Sequence, residues 1–260
     1  MAKRKAPSHV LGTRTAPPPR PRRRVPTRTL YLRALGAALA IAATLVIASV
    51  AMRGGNASSP APAQTTALTG VAATKALLDG LPQRGNVLGS PNAPVTLVEY
   101  ADPQCPYCGE WARAALPELV RDYVRTGRLR IEYHGMAFVG PDSSKGLAAA
   151  FAAGNEGKFW HLIDVLYANQ GAENTGWIDD ALLGAIADRV DVDVPRFLAA
   201  RESSAVARAV NDSTARARAD GIASTPTFYA GHTGGTLRPV PITSLDAGAL
   251  RPTLDRLLAA

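Results

Sequence analysis

The sequence predicts an α/β domain with an inserted helical block, preceded by one transmembrane helix. Three observations carry this reading. An apolar run, VTLVEYA at 95–101, is followed by a helical segment and an alternating run, RLRIEYH at 128–134. A long stretch of helical periodicity then separates that unit from two further strands and a last helix. Upstream, 19 residues without a charge lie between Arg33 and Arg53.

The uncharged run is residues 34–52 and is apolar all round, unlike the single stripe of a surface helix. As a helix it spans roughly 28 Å, about the hydrocarbon thickness of a bilayer. Residues 1–33 hold ten basic side chains and no acidic one. The positive-inside rule therefore puts this Pro- and Arg-rich tail in the cytoplasm and the rest of the chain outside. Too few large apolar groups occur in the tail for it to fold. A cleavable signal peptide competes with the anchor, since Ser49, Val50 and Ala51 offer small residues for cleavage; the long basic lead favours an uncleaved span. Either way the body is exported. Residues 53–82, opening GGNASSPAPAQTTALTG, read as a flexible linker, and 83–260 as the folded domain.

Charge narrows the function classes. The chain as a whole carries a formal net charge of +8, yet residues 54–260 hold 18 basic and 21 acidic side chains, a net of −3. The positive field belongs to the tail, which argues against nucleic-acid binding by the body. Two cysteines in one motif exclude a multi-disulfide scaffold.

Within the domain, 85–89 is extended and 95–101 is a strand buried on both faces. Asp102-Pro103 breaks the chain. A helix is expected from 106 to about 125, with Ala112, Leu116, Leu119 and Tyr123 on one face, Arg113 and Arg121 outside, and a kink at Pro117. Thr126-Gly127 ends it before the strand at 128–134. The βαβ unit predicts parallel strands with a right-handed crossover. Residues 142–219 read as several helices with breaks near 154–157 and 170–176. Residues 227–230 and 236–240 form a hairpin around 231–235, and Ser244 is expected to cap a final helix to about 258.

The chemistry sits in Cys105-Pro106-Tyr107-Cys108, which opens the first long helix. Proline favours the first helical position, so Cys105 becomes the N-cap. A thiolate there faces the free N–H groups of Tyr107 and Cys108 and the positive end of the helix dipole. The expected pKa of Cys105 falls well below the ordinary value of about 8.5. Cys108, one turn on, faces inward. Stabilising the Cys105 thiolate stabilises the reduced form, making the disulfide a stronger oxidant. A purely structural disulfide closing so short a loop would contribute only about 2 kcal/mol. A zinc site lacks further ligands in paired spacing, and haem attachment needs His where Gly109 stands.

The strand-then-CPYC-then-helix start, the helical insertion and the later Ser224-Thr225-Pro226-Thr227 together resemble the DsbA-like branch of the thioredoxin superfamily, over roughly 83–258. The resemblance implies a thioredoxin fold and a cis Pro226 beside the sulfurs, with Thr225 offering backbone groups to a substrate chain and Pro106 and Tyr107 lining the same surface. It also implies an acidic residue near the buried second cysteine. Glu99 fills that place and is expected to hand a proton to Cys108 and take it back. The competing reading is a solvated glutamate at a strand end.

The implied activity is thiol:disulfide oxidoreduction, as an oxidase of exported protein thiols, with a reductase, an isomerase or a non-enzymatic binding module as alternatives. No cofactor or metal is implied. The family implies a quinone-linked membrane reoxidant of the DsbB or vitamin K epoxide reductase kind. Residues 54–82 are too few for a dimerisation domain, so a monomer is expected. His134 and His161 read as packing or surface residues, Trp111 and Trp160 as core or groove walls with a substrate surface as the alternative for Trp111, and Asp179, Asp180, Asp188, Asp191 and Asp193 as a solvated face with helix starts.

Overall fold

A computed structural model describes residues 67–260 of the chain. The predicted tail, the membrane span at 34–52 and the first part of the linker lie outside the described residues. Among the described residues, no helix is long and apolar enough to cross a membrane.

The first element corrects the linker reading. Helix α1 (Val71–Leu78) lies inside the segment 53–82 and buries Thr74 and Leu78 against the domain. It starts at Gly70, whose φ is 80° and where an added Cβ would stand 2.7 Å from the Ala168 side chain. Only glycine meets both demands. The helix is short and weakly patterned, so burial against the fold decides its existence, not periodicity.

Six strands form one mixed sheet in the order β1-β2-β4-β3-β5-β6. The expected extended piece at 85–89 is instead a turn at 85–86 followed by strand β2 (Val87–Leu88), with strand β1 (Gln83–Arg84) before it. Strand β3 (Val95–Ala101) has all seven residues buried, as its unbroken apolar run requires. Strand β4 (Leu129–Gly135) alternates buried and half-buried positions and pairs with β3 in parallel, from Val95 opposite Leu129 to Ala101 opposite Gly135. Strand β5 (Thr227–His232) pairs antiparallel with the other edge of β3, and β6 (Arg238–Val240) finishes the sheet. The shortness of β6 reflects Pro239, which lacks a ladder donor and is tolerated only at an edge.

The crossover between β3 and β4 is not one kinked helix. Helix α2 (Pro106–Ala114) ends at Ala115, α3 (Leu116–Leu119) restarts, and a π-helical turn (Val120–Val124) closes the segment. Pro117 falls in the first turn of α3, where its missing N–H leaves no gap, so the chain breaks ahead of it. Leu116, Leu119 and Tyr123 are buried, while Arg113 and Arg121 are exposed as expected.

The insertion comprises α4 (Pro141–Gly154), α5 (Phe159–Ala168), α6 (Asp180–Arg189), α7 (Val194–Arg201) and α8 (Ser204–Ala219). Asp179, Asp193 and Ser203 cap the last three, each side chain accepting a backbone N–H three residues on. Ser244 does not cap the C-terminal helix. Asp246 accepts from the Gly248 N–H at 2.8 Å and opens a 3₁₀ turn (Ala247–Ala249), after which α9 (Arg251–Ala259) begins without a side-chain cap. Pro252 at its start presets the first turn.

Leu97 is fully buried at the middle of β3, flanked by β4 and β5. Leu97→Ala is expected to lower stability by about 2–5 kcal/mol. Chemical denaturation checks this: the midpoint falls with little change in slope, whereas Leu198→Ala, at a site 40% exposed, barely moves it.

Candidate active site

Cys105 stands at the N-cap of α2 with extended backbone (φ −67°, ψ 119°), and Pro106 takes the first helical position. Cys108 is wholly buried and Cys105 is 5% exposed. Both thiols are free. The Cys105 thiol donates to the Thr225 carbonyl at 3.4 Å, and the Thr225–Pro226 peptide bond is cis. Two sulfurs, Thr225 and Pro226 thus share one corner, at the C-terminal end of β3 and the start of β5. Tyr107 is 61% exposed beside them, and Pro106 is also on the surface.

The electrostatics of the two sulfurs diverge. The Cys105 pKa is lowered to about 6. The largest cause is the Cys108 thiol, which donates to the Cys105 anion; burial opposes it, and the Thr225 side chain and the N–H groups of Cys108 and Tyr107 add to the lowering. Cys108 is pushed well up, first by burial, then by Cys105 and by the charge of Glu99. One sulfur is poised as thiolate and the other as thiol, the division that N-cap chemistry predicts.

Glu99 is not a solvated strand end. It is 1% exposed at the centre of the sheet, in register with Tyr133 on β4 and Phe228 on β5. Its Oε1 is buried without a hydrogen-bond partner. Burial, and after it the charge of Cys105, pushes its carboxyl well above the ordinary range. A buried carboxyl without a partner on one oxygen is held toward its neutral form, and its charge in turn raises Cys108.

Several residues escaped the sequence reading. Asp102, taken there as a chain breaker, is fully buried. Its Oδ1 accepts from the Gln104 N–H at 2.8 Å and Ser143 Oγ at 2.7 Å. Its Oδ2 accepts from the N–H groups of Phe138 at 2.7 Å and Val139 at 2.8 Å. Its carbonyl receives the Cys105 N–H and the Tyr167 hydroxyl, both at 3.0 Å. Tyr167 in turn shares a 2.9 Å hydrogen bond with Tyr133. Gln170 Nε2 donates to the Cys105 carbonyl at 3.0 Å and the Pro103 carbonyl at 3.2 Å. The insertion therefore grips the turn that carries Cys105. No local signal could have revealed this, because the partners lie dozens of residues away.

The packing residues fall as expected. Trp111 is buried against Phe228 with ring centroids 5.0 Å apart, and His161 is held between Asp79 and Gln83, each at 2.9 Å. Phe138, 59% exposed, lies in the loop pinned by Asp102.

Comparison with known proteins follows the geometry. The family model described as thioredoxin matches residues 83–236. A Bacillus cereus protein named probable disulfide bond formation protein D is 32% identical over 146 residues, covering 55% of this chain and 68% of that protein. The chain belongs to the thioredoxin family, in its DsbA-like branch of thiol:disulfide oxidoreductases. A solved structure of oxidised BdbD from Bacillus subtilis superposes with a TM-score of 0.59 at 22% identity, over 69% of this chain and 98% of that one, a likeness of fold. The chain is also 35% identical over 182 residues to Na(+)/H(+) antiporter NhaA 1 of Salinispora arenicola, spanning 67% of this chain but only 27% of the antiporter.

The lowered Cys105 pKa makes two measurements decisive. Alkylation rate against pH is expected to titrate near 6, and to shift upward in Cys108→Ala, which lacks the thiol donor but keeps the Thr225 and backbone donors. Cys105 is also expected to add stability to the reduced protein as pH rises, against the opposite contributions of Glu99 and Cys108. A native pKa below the unfolded one contributes stability present above about pH 8.5 and lost as pH falls through about 6. Denaturation midpoints of reduced wild type against Cys105→Ser over that window check the sign.

Proposed function

We propose that this chain is a membrane-anchored, extracytoplasmic oxidase that donates the Cys105–Cys108 disulfide to thiols of exported proteins. The observation that carries the proposal is the asymmetry of the pair: a stabilised thiolate at Cys105 and a buried, raised Cys108. Reduction of such a pair is favoured, because the product anion rests on the helix N-terminus.

In the first step a substrate thiolate attacks Cys105 Sγ of the oxidised enzyme. The Cys105–Cys108 bond breaks, a mixed disulfide forms on Cys105, and Cys108 leaves as thiolate. Glu99 gives its proton to that buried sulfur, whose anion is strongly disfavoured. A second substrate thiolate then attacks the substrate sulfur of the adduct. Cys105 departs as thiolate, the substrate is oxidised by two electrons and the enzyme is reduced by two. Thr225 and Pro226 border the sulfur that substrate attacks, and the Thr225 backbone is the proposed pairing edge for an extended substrate. Pro106 and Tyr107 form the exposed ground in front of it.

The supports for place and partner come from the sequence. The basic tail and the apolar run at 34–52 orient the domain outward. Reoxidation is assigned to a quinone-linked membrane protein of the DsbB or vitamin K epoxide reductase kind, and the enzyme is taken to act as a monomer. A reductase would use the same site in the opposite direction, so the test is the potential.

Three outcomes are expected. The equilibrium reduction potential against glutathione should lie near the oxidising end of the superfamily, about −120 mV; a value near −270 mV would identify a reductase. Cys108→Ala should accumulate mixed disulfides on Cys105, visible on non-reducing gels and lost in Cys105→Ala. Glu99→Gln should slow the release of Cys108 by roughly tenfold to a hundredfold, with the slowing smallest at low pH, where solvent acid can substitute as proton donor. An unchanged rate and pH profile would remove Glu99 from the mechanism.

A further inference from the structure

Away from the sulfurs, a second concavity lies between α1, the end of α2, α3 and α5. Its volume is about 760 Å³, the size of a small-ligand site. Ala73, Ala76, Leu77, Ala112, Pro117 and Ala168 supply apolar walls, and Arg113, Arg121 and Arg125 stand around it. Asp164 lines it too, the one charged side chain in the otherwise apolar helix α5 apart from His161. Its Oδ2 accepts from Thr74 Oγ1 at 2.5 Å, and among the described residues Asp164 has no other hydrogen-bond partner. Burial lifts its carboxyl to about 6, so the floor still carries one negative charge near neutrality, fewer than the three positive charges around it.

The arginines are unequally engaged. Arg113 donates one N–H to the Tyr167 carbonyl, and Arg125 holds the Ala76 and Leu77 carbonyls at the end of α1. Arg121 has no hydrogen bond or ion pair among the described residues and is exposed. Three guanidinium groups around one carboxyl make this pocket positive, in a body whose net charge is −3. Apolar walls under a cationic mouth complement one chemical class, an anionic amphiphile.

Its place in the chain narrows the source. Thr69 and Gly70 form part of the wall, at the point where the polypeptide enters the domain. Sixteen residues, 53–68, separate that wall from the end of the apolar run at Met52. A chain of that length spans at most about 55 Å. On the anchor reading above, on which the lipid source alone rests, the pocket is held within reach of the membrane surface.

We propose that this pocket binds an anionic phospholipid, its acyl portion against the apolar wall and its phosphate between Arg121 and Arg113. Binding here would seat the domain on the bilayer without using any group of the redox site.

The test uses the full chain in neutral maltoside micelles and follows the thermal midpoint, which a ligand raises in proportion to its occupancy of the folded state. Dodecyl phosphate is expected to raise the midpoint, and dodecyltrimethylammonium, with the same tail and opposite charge, to leave it unchanged. Arg121→Glu should weaken the response to dodecyl phosphate about tenfold or more, and Arg121→Lys should retain it. Asp164→Asn, which keeps the Thr74 hydrogen bond and removes the negative charge, should hold or strengthen it. Equal responses to both head groups, indifference to Arg121→Glu, or loss of binding in Asp164→Asn would overturn the proposal. A second arm substitutes dioctanoyl phosphatidylglycerol for the phosphate surfactant, with dioctanoyl phosphatidylcholine as the control. Binding of dodecyl phosphate without preference for the glycerol lipid would overturn the phospholipid assignment, and neither arm depends on the redox activity.

Discussion

A sulfur anion at the mouth of a helix is the constraint from which the active corner follows. Unpaired N–H groups at the start of α2 favour negative charge on the residue that caps them, and here that residue is Cys105. The same helix turns Cys108 inward, where burial penalises its anion. A single helical turn thus separates two chemically identical groups into a stable leaving group and a buried thiol. The hydrogen bond between them deepens the contrast, because the raised member donates to the lowered one.

The remainder of the domain serves to hold that turn against the sheet. β3 delivers the chain to Cys105 from the buried centre of the sheet, and β5, its antiparallel neighbour, begins beside Thr225 and Pro226. The insertion supplies a third hold through Ser143, Tyr167 and Gln170. Asp102 gathers these contacts, with four donors on one buried carboxylate and two more on its carbonyl. A buried carboxyl is accommodated in such a place because its acceptors are filled. Glu99 illustrates the opposite case, a carboxyl with an empty acceptor that is held toward its neutral form. Two acids three residues apart therefore differ in kind: one has both oxygens filled by donors, the other keeps a buried oxygen with none.

How much of this could be read beforehand depended on range. The CPYC motif was legible because capping is settled within four residues, and β3 was legible because a strand covered on both faces needs an unbroken apolar run. Glu99 stood out as the one acid in that run, although whether it was buried or solvated turned on what covered the strand. Helix α1 was missed since eight weakly patterned residues become helical only against the surface they cover. The break at Ala115 displaced the expected kink because Pro117 is better accommodated inside a new first turn than within a continuous ladder.

Sequence alone determined the reactive pair, its asymmetry and the βαβ frame that presents it, because each depends on neighbours in the chain. Tertiary structure decided what surrounds them: the cluster on Asp102, the grip of Gln170, the burial of Glu99 and the arginine-lined pocket beneath α1. Those features join residues separated by tens of positions, and no local propensity reports on a partner that only folding brings near.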